Sequence, residues 1–195
     1  APRKDWMVED LLGAGELSVF YGAPGCGKSV LVGDAACHVA AGLEWHGKRT
    51  QRGAVLYVAA ERAGLVKRRM AAWRKHHAVD DLPLAVASGF FDLCTSPADS
   101  EKLTRTCRTL TDMFGCSVAW IIVDTVAQVL AGGDENSGRD MGALVSNLAR
   151  LQQATGAHVS VIHHVPHAER QRMRGHGALL GAADTFFRDT GATEK

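Results

Sequence analysis

The chain has 195 residues, 46% of them hydrophobic and 22% charged, which is enough for one well-buried core in a single domain. No apolar run reaches the roughly eighteen residues that a membrane span needs, and a formal net charge of +1 leaves any attraction for nucleic acid to a local patch. Five cysteines (Cys26, Cys37, Cys94, Cys107 and Cys116) form no C-x-x-C pair and are odd in number. That argues against a zinc ribbon and a disulfide framework and fits a reducing cytoplasm.

The chain opens at Ala1 without methionine or signal peptide, as a processed or excised fragment would. The first apolar run, Leu17 to Gly22, reads as a buried strand, and a helical pattern follows from Lys28 to Ala41. Between them stands Gly22, Ala23, Pro24, Gly25, Cys26, Gly27, Lys28, Ser29, which satisfies G-x-x-x-x-G-K-S and leads into Val30. The glycines let backbone N–H groups curl round a β-phosphate, and the helix N-terminus adds its positive end. Lys28 reaches the β- and γ-phosphates of ATP, and Ser29 holds Mg²⁺.

A basic link, His46 to Gly53, leads to the second strand, Ala54 to Ala60, which ends in Glu61. A carboxylate there can polarise the water that attacks a γ-phosphate; a glutamate favoured by the dipole of the next helix is the alternative. That helix, Gly64 to His77, carries Lys67, Arg68, Arg74 and Lys75 opposite an apolar side with Leu65, Met70 and Trp73, which reads as a solvated basic face. A short strand over Leu84 to Ala87 comes next. A helix over Pro97 to Phe114 follows, with Pro97 in its first turn and Ser96 as its cap.

Ser117 to Asp124 is the third long apolar run. An aspartate at its end is the Mg²⁺ partner of the loop serine, generally through water. The polar, glycine-rich link from Ala131 to Gly138 precedes a helix over Arg139 to Ala154. The last long strand, Ala157 to His164, ends in paired histidines. Either can hydrogen-bond a γ-phosphate or be a satisfied structural histidine, while Pro166 stands against a metal site with His167. A basic stretch with Arg170, Arg172 and Arg174 follows, then a closing strand at Thr185 to Arg188. Trp45 and Trp120 read as packing residues.

Strands alternating with helices imply right-handed crossovers and a mostly parallel sheet covered on both faces, an α/β fold whose ligands sit at the carboxyl ends of the strands. The motif order resembles the RecA-type P-loop ATPase core, and more closely the RepA-like hexameric helicases of plasmids and phages. It rests on "DWMVEDLLGAGELSVFYGAPGCGKS", "EWHGKRTQRGAVLYVAAERAG", "IIVDTVAQVLAGGDENSGRDMGALVSNLARL" and "VIHHVPHAERQRMRGHGALLGAAD" in that sequence.

The resemblance implies a single RecA-like ATPase domain over 1–195, cut short at the C-terminus, that uses ATP and Mg²⁺. It implies Glu61 as catalytic glutamate, Lys28, Ser29 and Asp124 at the nucleotide and metal, and His164, with His163 beside it, as γ-phosphate sensor. Arg174 resembles a finger reaching the neighbouring subunit's ATP. It further implies a hexameric ring on single-stranded DNA, with mobile DNA-binding loops at Val165 to Met173 and Gly132 to Asp140. Arg170 and Arg172 suit phosphate contact in the first; Asp134 and Glu135 make the second doubtful. A lysine common beyond the paired histidines of relatives is absent here. A RecA-like ATPase in repair, recombination or regulation without unwinding is the alternative, and a small-molecule phosphotransferase a more distant one.

Overall fold

The computed structural model describes residues 4–164 and 177–189. A short antiparallel hairpin, β1 (Trp6–Val8) and β2 (Leu12–Gly13), precedes β3 (Leu17–Gly22) and α1 (Lys28–Ala41). Then come β4 (Ala54–Ala59), α2 (Ala63–His77), β5 (Leu84–Ser88), α3 (Pro97–Phe114) and β6 (Val118–Asp124). The chain continues through a one-turn α4 (Val126–Val129), α5 (Gly138–Thr155), β7 (His158–His164), α6 (Gly177–Ala182) and β8 (Thr185–Asp189). The long elements match the hydrophobic patterning to within a residue or two. The hairpin, α4 and α6 are too short to show a period, and sequence reading passes over them.

Among the described residues the central sheet has six parallel strands in the order β5-β4-β6-β7-β3-β8. This is the α/β RecA-like P-loop architecture expected from the alternating pattern. Burial on both faces explains why its central strands are continuously apolar: every residue of β4 is buried. One face packs against α1 and α2 through Val32, Ala36, Val66, Met70 and Trp73. The other packs against α3, α4 and α5 through Leu103, Leu110, Val129, Leu144 and Leu148.

The connections decide where a ligand can sit. Chain leaving β4 continues to β5 on one side, whereas chain leaving β6 returns to β7 on the other, so a switch point opens between these neighbours. Register then lines up the strand ends. Ala59 pairs with Asp124, Asp124 with Ile162, and Gly22 with both His164 and Asp189.

A polar chain crosses the core below this edge. His158 Nδ1 lies 2.7 Å from the carbonyl oxygen of Gly13, which can only accept, so Nδ1 carries the hydrogen and Nε2 accepts from Ser18 Oγ at 2.8 Å. Ser18 Oγ in turn accepts from Ser160 Oγ at 2.7 Å, and Ser160 accepts from Trp120 Nε1 at 2.7 Å. All four side chains are fully buried. Burial holds the His158 imidazole down at about 4.

Ser96 occupies the N-cap of α3 as expected, but its side chain makes no cap bond. The preceding turn is held instead by Asp92, whose Oδ1 accepts from the backbone N–H of Cys94 at 2.9 Å and of Thr95 at 2.7 Å. At α5 the cap is made by Ser137, which accepts from Asp140 N–H.

Candidate functional site

A cleft of about 320 Å³ opens at the carboxyl edge, lined by Pro24, Gly25, Gly27, Lys28, Ser29 and Val30 from one side. Glu61, Arg62 and Arg69 face them, and Asp124 and His164 close its floor. They arrive from the loop after β3 and the start of α1, the end of β4, α2, and the ends of β6 and β7, so residues 24 to 164 converge only through the fold.

The loop from Gly22 to Ser29 turns the chain from β3 into α1. Gly27 is the helix N-cap at φ +109°, a conformation that side chains disfavour. Gly22 is needed for a different reason: a Cβ there would lie 2.4 Å from the carbonyl oxygen of Asp189 on β8. Lys28 is 3% exposed. Its ammonium donates to the carbonyl oxygens of Gly22 at 2.9 Å and Ala23 at 2.7 Å and lies 3.4 Å from Cys26 Sγ, so its charge stays inside the curve of the loop.

Asp124 ends β6 almost fully buried, and Tyr57 of β4 donates its hydroxyl to Asp124 Oδ2 at 2.7 Å. Burial first, and the Asp124 carboxylate second, push the Tyr57 phenol well above its ordinary value, so it remains a donor that aims the carboxylate. Sequence reading missed this residue. Its signal is a tyrosine inside a run buried on both faces, where a hydroxyl must find a partner.

Glu61 stands just outside α2: the N-cap is Arg62, and the first turn holds no acidic residue. Its carboxylate is 41% exposed and lies 3.7 Å from Arg62 Nε. Arg69 was also missed by sequence reading, hidden in a basic run. It lies one helical turn from Leu65 and Val66 on the side of α2 that faces the cleft.

The paired histidines part company, because consecutive strand residues point to opposite faces. His164 enters the cleft. Burial, then the nearby Lys28 ammonium, holds its imidazole below the ordinary value and therefore neutral, and its buried Nδ1 has no hydrogen-bond partner among the described residues. His163 follows Val161 onto the α4–α5 face, is fully buried, and has Nε2 4.0 Å from Glu135 Oε2. Burial and the neighbouring Asp134 raise the Glu135 carboxyl. The structure thus brings His164, and not His163, to Lys28, Ser29, Glu61 and Asp124.

The acidic loop is tied to itself. Asp134 N–H donates to Asp140 Oδ2 at 3.0 Å, and Asp134 Oδ1 accepts from Asn136 N–H at 2.8 Å. Arg170, Arg172 and Arg174, with the basic loop that carries them, lie outside the described residues.

The donor set suits one class of ligand. Curled N–H groups and a buried ammonium fit a polyphosphate, and a hydroxyl beside a buried carboxylate offers the hard oxygen ligands that Mg²⁺ prefers. A second, larger groove of about 980 Å³ adjoins the cleft and shares Gly27, Lys28, Ser29, Val30, Val66 and Arg69 with it. Phe20 and Phe187, stacked at 4.6 Å, form part of its apolar wall.

No helix among the described residues is long and apolar enough to cross a membrane. The family model described as an AAA domain matches residues 1–170, almost the whole described sheet. No curated protein matches the chain.

Proposed function

The chain belongs to the AAA domain family of nucleotide-hydrolysing ATPases, and from that premise we propose that it is an ATP-driven motor domain acting on single-stranded DNA, of the RepA-like hexameric helicase type. The observation that carries the hydrolytic part is the meeting of Lys28, Ser29, Glu61, Asp124 and His164 in one cleft.

In this reading the N–H groups of Gly25 to Ser29 and the Lys28 ammonium bind the β- and γ-phosphates, and the adjoining groove accepts the nucleoside. Ser29 and Asp124 would hold Mg²⁺, which would neutralise phosphate charge there. Tyr57 keeps Asp124 aimed at it. Glu61 accepts a proton from the attacking water, with Arg62 Nε 3.7 Å from its carboxylate. Neutral His164 donates a hydrogen bond to the γ-phosphate and loses it on phosphate release.

The motor part rests on the order of motifs shared with RepA-like helicases. Arg174 would act on the neighbouring subunit's nucleotide, worth ~10³ to 10⁵ in rate, so an isolated subunit hydrolyses slowly. Arg170 and Arg172 would contact the DNA backbone. Two phosphates per subunit give a weak salt slope of about −0.7 per contact, which a ring multiplies.

The test is ATP hydrolysis across protein concentration, with and without single-stranded DNA, for wild type and Arg174→Ala, followed by strand displacement on a forked duplex. DNA stimulation, a rate per subunit that rises with concentration, loss in Arg174→Ala and displacement support the motor. DNA stimulation without displacement leaves the RecA-like ATPase of repair or recombination. No DNA effect and a normal Arg174→Ala rate reject both.

A further inference from the structure

The nucleotide chemistry leaves a separate side-chain cluster unused. Asp34 and His38 stand one turn apart on α1, and His77 is the last residue of α2, which packs beside it. One ligand atom from each of Asp34, His38 and His77 lies within 4.8 Å of those of the other two. None of the three lines the phosphate cleft, and Asp34 alone of them borders the adjoining groove.

The surroundings hold these groups as a metal site requires. Asp34 Oδ1 accepts from Trp73 Nε1 at 2.9 Å and Oδ2 from Trp45 Nε1 at 2.8 Å, which fixes the carboxylate plane and leaves each oxygen a lone pair. His38 Nδ1 lies 2.8 Å from the carbonyl oxygen of Asp34. A carbonyl only accepts, so Nδ1, which also lies 3.5 Å from Asp34 Oδ1, carries the hydrogen in the metal-free chain, and Nε2 is the nitrogen with a free lone pair. The His77 ring is stacked on Trp73 with centroids 4.1 Å apart and planes at 21°, and meets the His38 ring edge-on at 5.1 Å. A carboxylate steadying tryptophan N–H groups accounts for Asp34, Trp45 and Trp73; it does not account for two imidazoles gathered at the same carboxylate.

We propose that Asp34, His38 and His77 form a binding site for a divalent cation of the Zn²⁺ class, with two nitrogen ligands, one carboxylate oxygen and water in the fourth position. Imidazole with one carboxylate suits Zn²⁺ better than Mg²⁺, which prefers oxygen alone. Tetrahedral zinc places its ligand atoms roughly 3.4 Å apart, so the side chains close by about an ångström on binding. The site joins α1, which begins at Lys28 and Ser29, to α2, which follows Glu61 and Arg62. Metal binding therefore ties together the two walls of the phosphate cleft and raises the unfolding temperature by mass action.

The experiment uses the metal-stripped chain. Zn²⁺ is titrated in competition with a chromophoric chelator, and Co²⁺ is added as a spectroscopic substitute. Wild type, His38→Gln and His77→Ala are compared with Cys26→Ser and Asp124→Asn, which remove the rival ligands of the phosphate cleft. The expected result is one Zn²⁺ per chain, tetrahedral Co²⁺ bands, and at least tenfold weaker binding in both histidine variants, with Cys26→Ser and Asp124→Asn like wild type. His77→Cys keeps a ligand at that position, so it retains the metal and adds a thiolate-to-Co²⁺ charge-transfer band even if His77→Ala folds poorly. Failure to hold Zn²⁺ against the chelator overturns the proposal. So does binding that survives both histidine changes, binding lost with Cys26 or Asp124, or the absence of the His77→Cys band.

Discussion

Acid should weaken this fold through one residue before its carboxylates protonate. His158 is fully buried, gives its Nδ1 hydrogen to Gly13 and needs an unprotonated Nε2 to accept from Ser18. Its value falls from 6.5 to about 4, with desolvation the largest cause. The unfolded chain therefore binds a proton that the folded chain refuses, and stability is lost as pH falls through 6.5 and levels off near 4. At 1.36 kcal/mol per unit the full loss is about 3 kcal/mol, of which roughly 2 kcal/mol develops between pH 7 and pH 5. Urea unfolding at those two pH values measures it. In His158→Gln, where nothing titrates at this position, the drop shrinks by about 2 kcal/mol. The ring resonances of wild-type His158 should stay those of a neutral imidazole down to about pH 4. An imidazole that protonates near its ordinary value in the folded chain, or an equal drop in His158→Gln, refutes the reasoning.

Tyr57→Phe removes the donor to a buried carboxylate oxygen, so urea unfolding should show a loss of about 1–3 kcal/mol and hydrolysis a higher KM for Mg·ATP. Gly22→Ala drives a Cβ to 2.4 Å from the Asp189 carbonyl oxygen, and relieving that clash displaces β8. Its thermal midpoint should fall by an amount equivalent to about 1–3 kcal/mol. His164→Gln should lower kcat at least tenfold, whereas His163→Gln, altered on the opposite face, should hydrolyse within a few-fold of wild type; equal losses in steady-state assays would reject the facing assignment.

Local chemistry was legible in the sequence wherever it was written in consecutive residues. Gly22 to Ser29 states its own purpose, and the apolar runs ending at Asp124 and His164 mark strand ends because burial on both faces removes polar alternation. The sequence left either of His163 and His164 as the γ-phosphate partner; the structure separates them, because consecutive strand residues point to opposite faces. What stayed hidden depends on packing between distant segments. Tyr57 looks like one more apolar strand residue until β6 lies beside β4 and delivers Asp124. Arg69 is indistinguishable from its basic neighbours until α2 is turned against the cleft. Asp34 and His38 show a helical spacing, but nothing in the sequence joins them to His77, which arrives only when α1 and α2 pack together.

The most direct test of the central claim is phosphate release from Mg·ATP by wild type and Glu61→Gln, with nucleotide affinity measured in parallel. The account predicts hydrolysis by wild type and a loss of at least about 10² in Glu61→Gln, with nucleotide still bound through Lys28 and the loop N–H groups. Glu61→Gln hydrolysing at the wild-type rate would contradict it, because the water-activating group would then lie elsewhere.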